Sequence, residues 1–378
     1  MITAPMTAGP ALPTHARARR RDRRVYLRGH PLLFGLLAAT RGRGVRRLGG
    51  TLLVHDADAY REALTRLPLD RAARGTTGGA ARAALRGDGD VLFDQEGTGH
   101  RADRRALAGR LGAAGVEELR PVWLPLLARG SAPLAGGGEV DVVALAREAA
   151  GSVAVALLGS DADPVALARA AARAAAASVR SHLPGPPRPG AAAAAVRAAA
   201  RLRELTGAGD ALSSMVAVAA VNTTVAAVPR AVAWCADAGL WAQAADPELR
   251  PRLVEELLRV TAASPVLPRV AAAAGSVGGC PVRGGDRLVL VARHAAGAHR
   301  RDPDALDPAG PEVSRLVFGV GPHACPGARL ASVLLADVLE VLAAYRPVVA
   351  RARVDRRAAL PGWRSLTVRA GTGAGAGA

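Results

Sequence analysis

The stretch F-G-V-G-P-H-A-C-P-G, from Phe318 to Gly327, decides how the rest of the chain is read. It sets Gly319, Gly321 and Gly327 around a single cysteine, Cys325. Glycine reaches positive φ without strain and lets backbone approach a flat partner closely. An irregular run rich in Pro and Asp (His299–Val317) comes before it, and the apolar periodicity of Ala328–Tyr345, which predicts a helix, comes after. Cys325 therefore falls just before a helix N-terminus, with Pro326 suited to the first turn. Free N–H groups and the helix dipole there favour a thiolate. The competing reading is a structural cysteine buried in a Gly-rich turn.

A thiolate beside amide donors is a ligand for heme iron. At this point the segment resembles the heme-binding loop of the cytochromes P450: Phe318, Gly319, Gly321, His323, Cys325 and Gly327 match six of its ten positions. Other segments agree in order. E-E-L-L-R (Glu255–Arg259) puts Glu256 and Arg259 three residues apart on one helical face, and resembles the family's E-x-x-R pair. P-R-V-A carries Arg269 on a strand; the resemblance makes it a heme-propionate ligand, the alternative being a solvated strand arginine. H-R-A-D-R places His100 and Arg104 at i and i+4 on one face. With His323, the resemblance gives them to the propionates as well.

The run A-A-V-N-T-T (Ala219–Thr224) aligns with the family's oxygen-activating segment. Thr223 takes the alcohol position, its hydroxyl either donating to dioxygen or satisfied by the i−4 carbonyl. Asn222 stands where the family has an acid, and an amide cannot relay a proton by ionising. Ala220 replaces the usual glycine. The stretch before the cysteine loop lacks the family's aromatic and arginine, leaving Arg315 as the candidate third partner of Glu256–Arg259.

Composition sets bounds on this reading. The chain has 378 residues, 50 % of them hydrophobic, enough for one large core. Its net charge is +18, every basic residue is Arg, Asn222 is the only Asn and Ile2 the only Ile. That pattern points to base-composition bias, which weakens the charge as a sign of nucleic-acid binding. Aromatics at 3 % leave few stacking platforms, so no nucleic acid is expected. Three scattered cysteines, Cys235, Cys280 and Cys325, form no C-x-x-C pair and no disulfide framework, which suits a reducing cytoplasm. The apolar stretches are broken by Arg or Gly, so no membrane span is expected.

Helical patterns dominate. They cover Leu32–Thr40, Asp56–Leu67, Gly99–Arg110, Val116–Arg129, Val142–Leu158, Pro164–His182, Ala191–Leu205, Ala211–Ala236, Pro251–Thr261 and Ala328–Tyr345. Arg46–His55 reads as strand, Gly49-Gly50 turn and strand. Strands recur after Ser264 and again up to Val368. The expectation is a mainly α chain with a minor β-sheet drawing on both ends, a single large domain of the cytochrome P450 fold over residues 25–370. Residues 1–24 read as a basic disordered arm and 371–378 as a Gly/Ala tail.

The resemblance implies a bacterial, soluble, cytoplasmic heme-thiolate monooxygenase with heme b. Cys325 is then the metal ligand; His100, Arg104, Arg269, His323, Phe318 and Gly319 line the cofactor; Thr223 and Asn222 manage oxygen and protons. It further implies ferredoxin and ferredoxin reductase as electron donors, and a hydrophobic substrate, in secondary metabolism. Met215–Ala220, Ser264–Leu267 and the loop around 70–93 would wall the pocket. Two rivals stand beside it: a heme-thiolate enzyme of different chemistry (peroxygenase, dehydratase or coupling), which Asn222 favours, and a non-catalytic relative that binds a partner.

Overall fold

A computed structural model describes residues 15–76, 79, 104–105, 107–182, 189–207 and 211–371. In chain order the helices are α1 (His15–Gly29), α2 (Pro31–Thr40), α3 (Ala57–Thr65), α4 (Ala113–Ser131), α5 (Val142–Leu158), α6 (Pro164–His182), α7 (Ala191–Thr206), α8 (Ala211–Ala238), α9 (Trp241–Ala245), α10 (Arg250–Thr261), α11 (Ala292–Ala295), α12 (Pro311–Ser314) and α13 (Ala328–Ala343). The strands are β1 (Val45–Leu48), β2 (Thr51–Val54), β3 (Leu69–Asp70), β4 (Glu139–Asp141), β5 (Leu267–Ala271), β6 (Gly275–Val277), β7 (Cys280–Val282), β8 (Arg287–Leu290), β9 (Val348–Val354) and β10 (Trp363–Arg369).

Local chemistry explains where these elements start and turn. The carboxylate of Asp56 accepts from the amides of Asp58 (2.9 Å) and Ala59 (3.1 Å), capping α3. Asp141 does the same for α5 through Val143. Gly49, at φ +57°, turns β1 back onto β2. The main sheet runs β1-β2-β8-β5-β3. Its β2 and β8 are parallel and its other pairs antiparallel, so distant parts of the chain share one sheet, as expected. A second sheet orders β4-β10-β9 and a third pairs β6 with β7.

The largest apolar cluster draws on residues from Ala18 to Val368 and is centred on α8. Every residue from Ala226 to Cys235 is buried. This helix corrects one expectation. Its 28 residues, with hydropathy reaching 1.7 over a span-length window, are long and apolar enough to cross a membrane. Here α8 instead packs against α1, α5 and α6, and burial within the fold accounts for its lack of a polar face.

The N-terminus brings a second correction. Residues 15–29 are not part of a disordered arm but form α1, which docks along α8. Asp22 of α1 is buried and receives Arg230 of α8 at Nε (2.8 Å) and Nη2 (2.6 Å). Arg293 of α11 pairs with its other oxygen at 3.2 Å. Tyr26 lies between the two guanidiniums, 4.5 Å from Arg230 and 4.3 Å from Arg293, and its hydroxyl donates to the Thr261 carbonyl at 2.6 Å. Arg17 and Arg21 bind Asp237, while His15 and Arg19 bind Asp302.

Candidate functional site

The cysteine loop is a closed backbone ring. Arg315–Phe318 form one tight turn and Gly321–His323 another. Between them Gly319 takes φ +72° and Gly321 φ +74°, conformations that a side chain resists. The amide of Cys325 then donates to the Phe318 carbonyl at 2.7 Å, closing the ring. Gly327 caps α13, which begins one residue later. At Gly321 the ring touches α3, where a β-carbon would meet Thr65 at 3.4 Å.

Cys325 sits in a recess of this ring. By surface area the residue is exposed, yet surrounding protein pushes its thiol above the ordinary value. The two facts agree for a sulfur that protein surrounds without covering. The Gly327 amide and the Arg104 charge act in the opposite direction but do not outweigh burial.

Arg104 is brought to the loop, where its Nη2 donates to the Ala324 carbonyl at 2.7 Å. His323 is half-buried on the second turn. His100 lies outside the described residues. Arg269 on β5 has a buried Nε with no hydrogen-bond partner, while its Nη1 reaches only the neighbouring Pro268 carbonyl at 2.8 Å. Burial, and then the charge of Arg71, depress its pKa to about 10. Among the described residues no carboxylate pairs with it. It is not the solvated strand arginine of the alternative reading. A buried cation of this kind is stabilised by an anion.

Ala219–Thr224 takes one of the two arrangements expected for it. The Thr223 hydroxyl donates to the Ala219 carbonyl at 2.8 Å, the i−4 arrangement. Asn222 directs its amide to Val218 (2.8 Å) and across to Ala171 on α6 (3.4 Å). Its donor is thus held by carbonyls of α8 and α6. The expected pocket wall is also divided. Met215 packs against Ala199 of α7, and Ala217 joins the α5–α6 cluster. Ala219 and Ala220 stay half-buried beside Thr223.

Glu256 and Arg259 form the expected pair, both buried, with Nε–Oε1 at 2.8 Å and Nη2–Oε2 at 2.5 Å. Arg315 is not their third partner; it binds Glu255 at 3.1 Å on the surface. Backbone takes that place. Arg259 donates to the carbonyls of Ala296, Arg301 and Asp302, and Glu256 accepts the Ala309 amide at 3.0 Å. These contacts pin the irregular stretch that leads into the cysteine loop.

The arrangement fits a flat dicarboxylate cofactor with an axial sulfur ligand: an open sulfur, glycine backbone around it and a buried cation without a carboxylate. Sequence reasoning missed Tyr60, whose buried hydroxyl has no hydrogen-bond partner, and Arg71, whose charge helps to lower the pKa of Arg269. The rarity of tyrosine, with three in the chain, was the available signal.

No protein-family model matches the chain. Over 103 residues it is 38 % identical to putative cytochrome P450 126 of Mycobacterium tuberculosis, covering 26 % of this chain and 24 % of that protein. Over 108 residues it is 39 % identical to 20-oxo-5-O-mycaminosyltylactone 23-monooxygenase of Streptomyces fradiae, covering 27 % and 26 %. The matches thus span about a quarter of the length of these curated relatives. Among solved structures, P450BioI in complex with an acyl-loaded acyl carrier protein superposes with TM-score 0.73 at 17 % identity, covering 91 % of this chain and 99 % of that one. The CYP116B5 heme domain of Acinetobacter radioresistens gives 0.72 at 18 %, covering 94 % and 100 %.

Proposed function

We propose that the chain, whose fold superposes on solved cytochrome P450 structures, is a heme-thiolate monooxygenase acting on a hydrophobic organic substrate. The observation that carries this reading is the closed cysteine ring, with its open sulfur, in a fold that also supplies the unpaired Arg269 cation. Heme b, when bound, supplies an iron whose thiolate ligand favours O–O cleavage. The overall reaction takes R–H, dioxygen, two electrons and two protons to R–OH and water.

The chain's residues divide the remaining work. Cys325 would supply the sulfur that ligates the iron. Phe318 and Gly319 would shape the loop around it, and Arg104, Arg269, His323 and His100 would hold the cofactor's carboxylates. Thr223 keeps its proton on the Ala219 carbonyl and so offers oxygen lone pairs to a water. Asn222, with its amide bound to Val218, holds its side chain toward α6 and relays no proton by ionising. Protons therefore travel by water or from the substrate.

Electrons come from a separate donor, a ferredoxin with its reductase; the +18 charge supports docking of an acidic protein. Unpaired cysteines support a cytoplasmic setting. The Streptomyces fradiae relative's action on 20-oxo-5-O-mycaminosyltylactone supports a role in bacterial secondary metabolism. Asn222 favours one second reading, a heme-thiolate peroxygenase.

The test is the absorption spectrum of the reduced, carbon-monoxide-bound protein, with Cys325→Ser beside it. The wild type is expected to show the red-shifted thiolate Soret band and the variant to lose it. A wild type without that band ends the reading. Turnover with peroxide but not with dioxygen and electrons would select the peroxygenase.

A further inference from the structure

Arg169 and Arg173 stand one turn apart on α6, on the face that also carries Ala166 and Ala170. α7 packs alongside and brings Arg201 and Leu205 to the same place. These six residues line a cleft of about 210 Å3. Its floor is fixed. Ala170 and Leu205 join the apolar cluster shared by α5, α6, α7 and α8. The Ser160 hydroxyl donates to the Leu205 carbonyl at 2.6 Å and so ties down the end of α7.

The charge on the walls is one-sided. All three arginines are exposed, and no carboxylate lines the cleft among the described residues. The nearby acids are Asp163 and Glu204. Asp163 accepts from the Ala166 amide at 2.7 Å, at the start of α6. Glu204 holds one Nη of Arg201 at 2.8 Å and leaves the rest of that guanidinium free for another acceptor. Among the described residues Arg169 and Arg173 have no acidic partner. Like charges at this spacing weaken a helix. Base-composition bias accounts for how many arginines the chain carries, but not for three of them meeting across one cleft from two helices. A phosphate monoester, with about two negative charges and three acceptor oxygens, can engage all three guanidiniums, where one carboxylate suits a single fork.

We infer that the cleft between α6 and α7 binds a phosphate monoester, its phosphate between Arg169, Arg173 and Arg201 and its apolar stem over Ala166, Ala170 and Leu205. The cleft is built without any residue of the cysteine loop, and the inference stands apart from the proposed function.

Isothermal titration calorimetry of the full-length protein tests it, with hexyl phosphate, inorganic phosphate and hexanoate as probes at fixed ionic strength. Hexyl phosphate should saturate one site at about 1 mM or below, and bind more tightly than either other probe. Arg169→Gln with Arg173→Gln should weaken it about tenfold. Both side chains are exposed, so the melting temperature should not move. Arg201→Gln repeats the test from the opposite wall. Arg353→Gln with Arg364→Gln, exposed on β9 and β10, removes equal charge and should leave binding unchanged. Cosedimentation with phosphatidylcholine vesicles containing phosphatidic acid, lost in the cleft variants, assigns the phosphate to a lipid headgroup. Binding of hexyl phosphate without cosedimentation assigns it to a soluble ester. No saturation by hexyl phosphate overturns the inference, as does equal or tighter binding of hexanoate. Equal loss in the β9–β10 variant also overturns it, by reducing the effect to net charge. A polyglutamate peptide that displaces hexyl phosphate and binds more tightly gives the cleft to an acidic protein and overturns it as well.

Discussion

Replacing Asp22 with asparagine strips one negative charge from the point where α1, α8 and α11 meet. The substitution keeps shape and one acceptor oxygen. It leaves Arg230, 1 % exposed, without a counter-charge. Removing one partner of a buried pair costs about 3–5 kcal/mol. Arg293 also loses its carboxylate, but its side chain is 16 % exposed and water makes up part of the loss. That adds at most about 1 kcal/mol. A total near 4 kcal/mol is a large share of the roughly 5–15 kcal/mol that holds a domain folded. Guanidinium unfolding of the heme-free protein, followed by far-ultraviolet circular dichroism, reads it directly. A second variant checks the cause. Asp22→Asn with Arg230→Met removes the stranded cation as well, and the apolar surroundings of Ala233 and Trp234 accept methionine. It should recover about half of the loss or more, because apolar replacement of a buried ion pair is often neutral or better. Asp22→Asn within 1 kcal/mol of wild type, or a double variant no better than the single one, would refute the account of α1 as held by charge.

Four further outcomes follow from other contacts. Glu256→Gln leaves Arg259 charged in a buried site and should cost about 3–5 kcal/mol in the same denaturation assay. Gly151→Ala puts a β-carbon 2.1 Å from the Pro164 carbonyl, between α5 and α6; backbone must move, so a loss of about 1–3 kcal/mol is expected in thermal melting. Asn222→Asp turns a donor toward two carbonyls into a charged acceptor. It should destabilise at neutral pH and recover in acid, where the protonated carboxyl donates again; a pH-independent melting difference would contradict this. The last concerns His55, His294 and His299, which pack ring on ring among Arg41, Arg293 and Arg300. Burial first, then neighbouring charge, depresses His294 to about 3 and His299 to about 4, and burial lowers His55. The unfolded chain binds these protons near 6.5 and the folded protein does not. Stability is thus complete above pH 6.5 and falls as pH drops from there toward 4. His294→Gln should flatten that slope in melts taken across the window.

Much of the site was legible because its requirements are local. Positive φ at Gly319 and Gly321, and an amide at Cys325 reaching back to Phe318, belong to one short ring. The hairpin at Gly49 and the cap at Asp56 were readable for the same reason. What escaped depends on tertiary partners. The buried face of α1 is Ala18, Asp22, Val25 and Tyr26, spaced as a helix requires, but an acid in the stripe and seven arginines and His15 around it conceal the pattern. Neither the choice of Glu255 by Arg315 nor the bond from Asn222 to α6 could be read from spacing. Both depend on which helix comes alongside. The lack of a polar face along Ala211–Ala236 did point to burial, and α8 packs against α1, α5 and α6 although it is apolar enough for lipid.

The anchoring of α1 has a consequence in time. Its partners are Arg230, Asp237, Arg293 and Asp302. All of them lie far downstream of Asp22. At roughly 5–20 residues per second, the ribosome reaches Asp302 some fifteen seconds to one minute after His15. Through that interval α1 is outside the fold it will join, carrying its arginines in water. A segment made before all of these partners is therefore among the last to find its place.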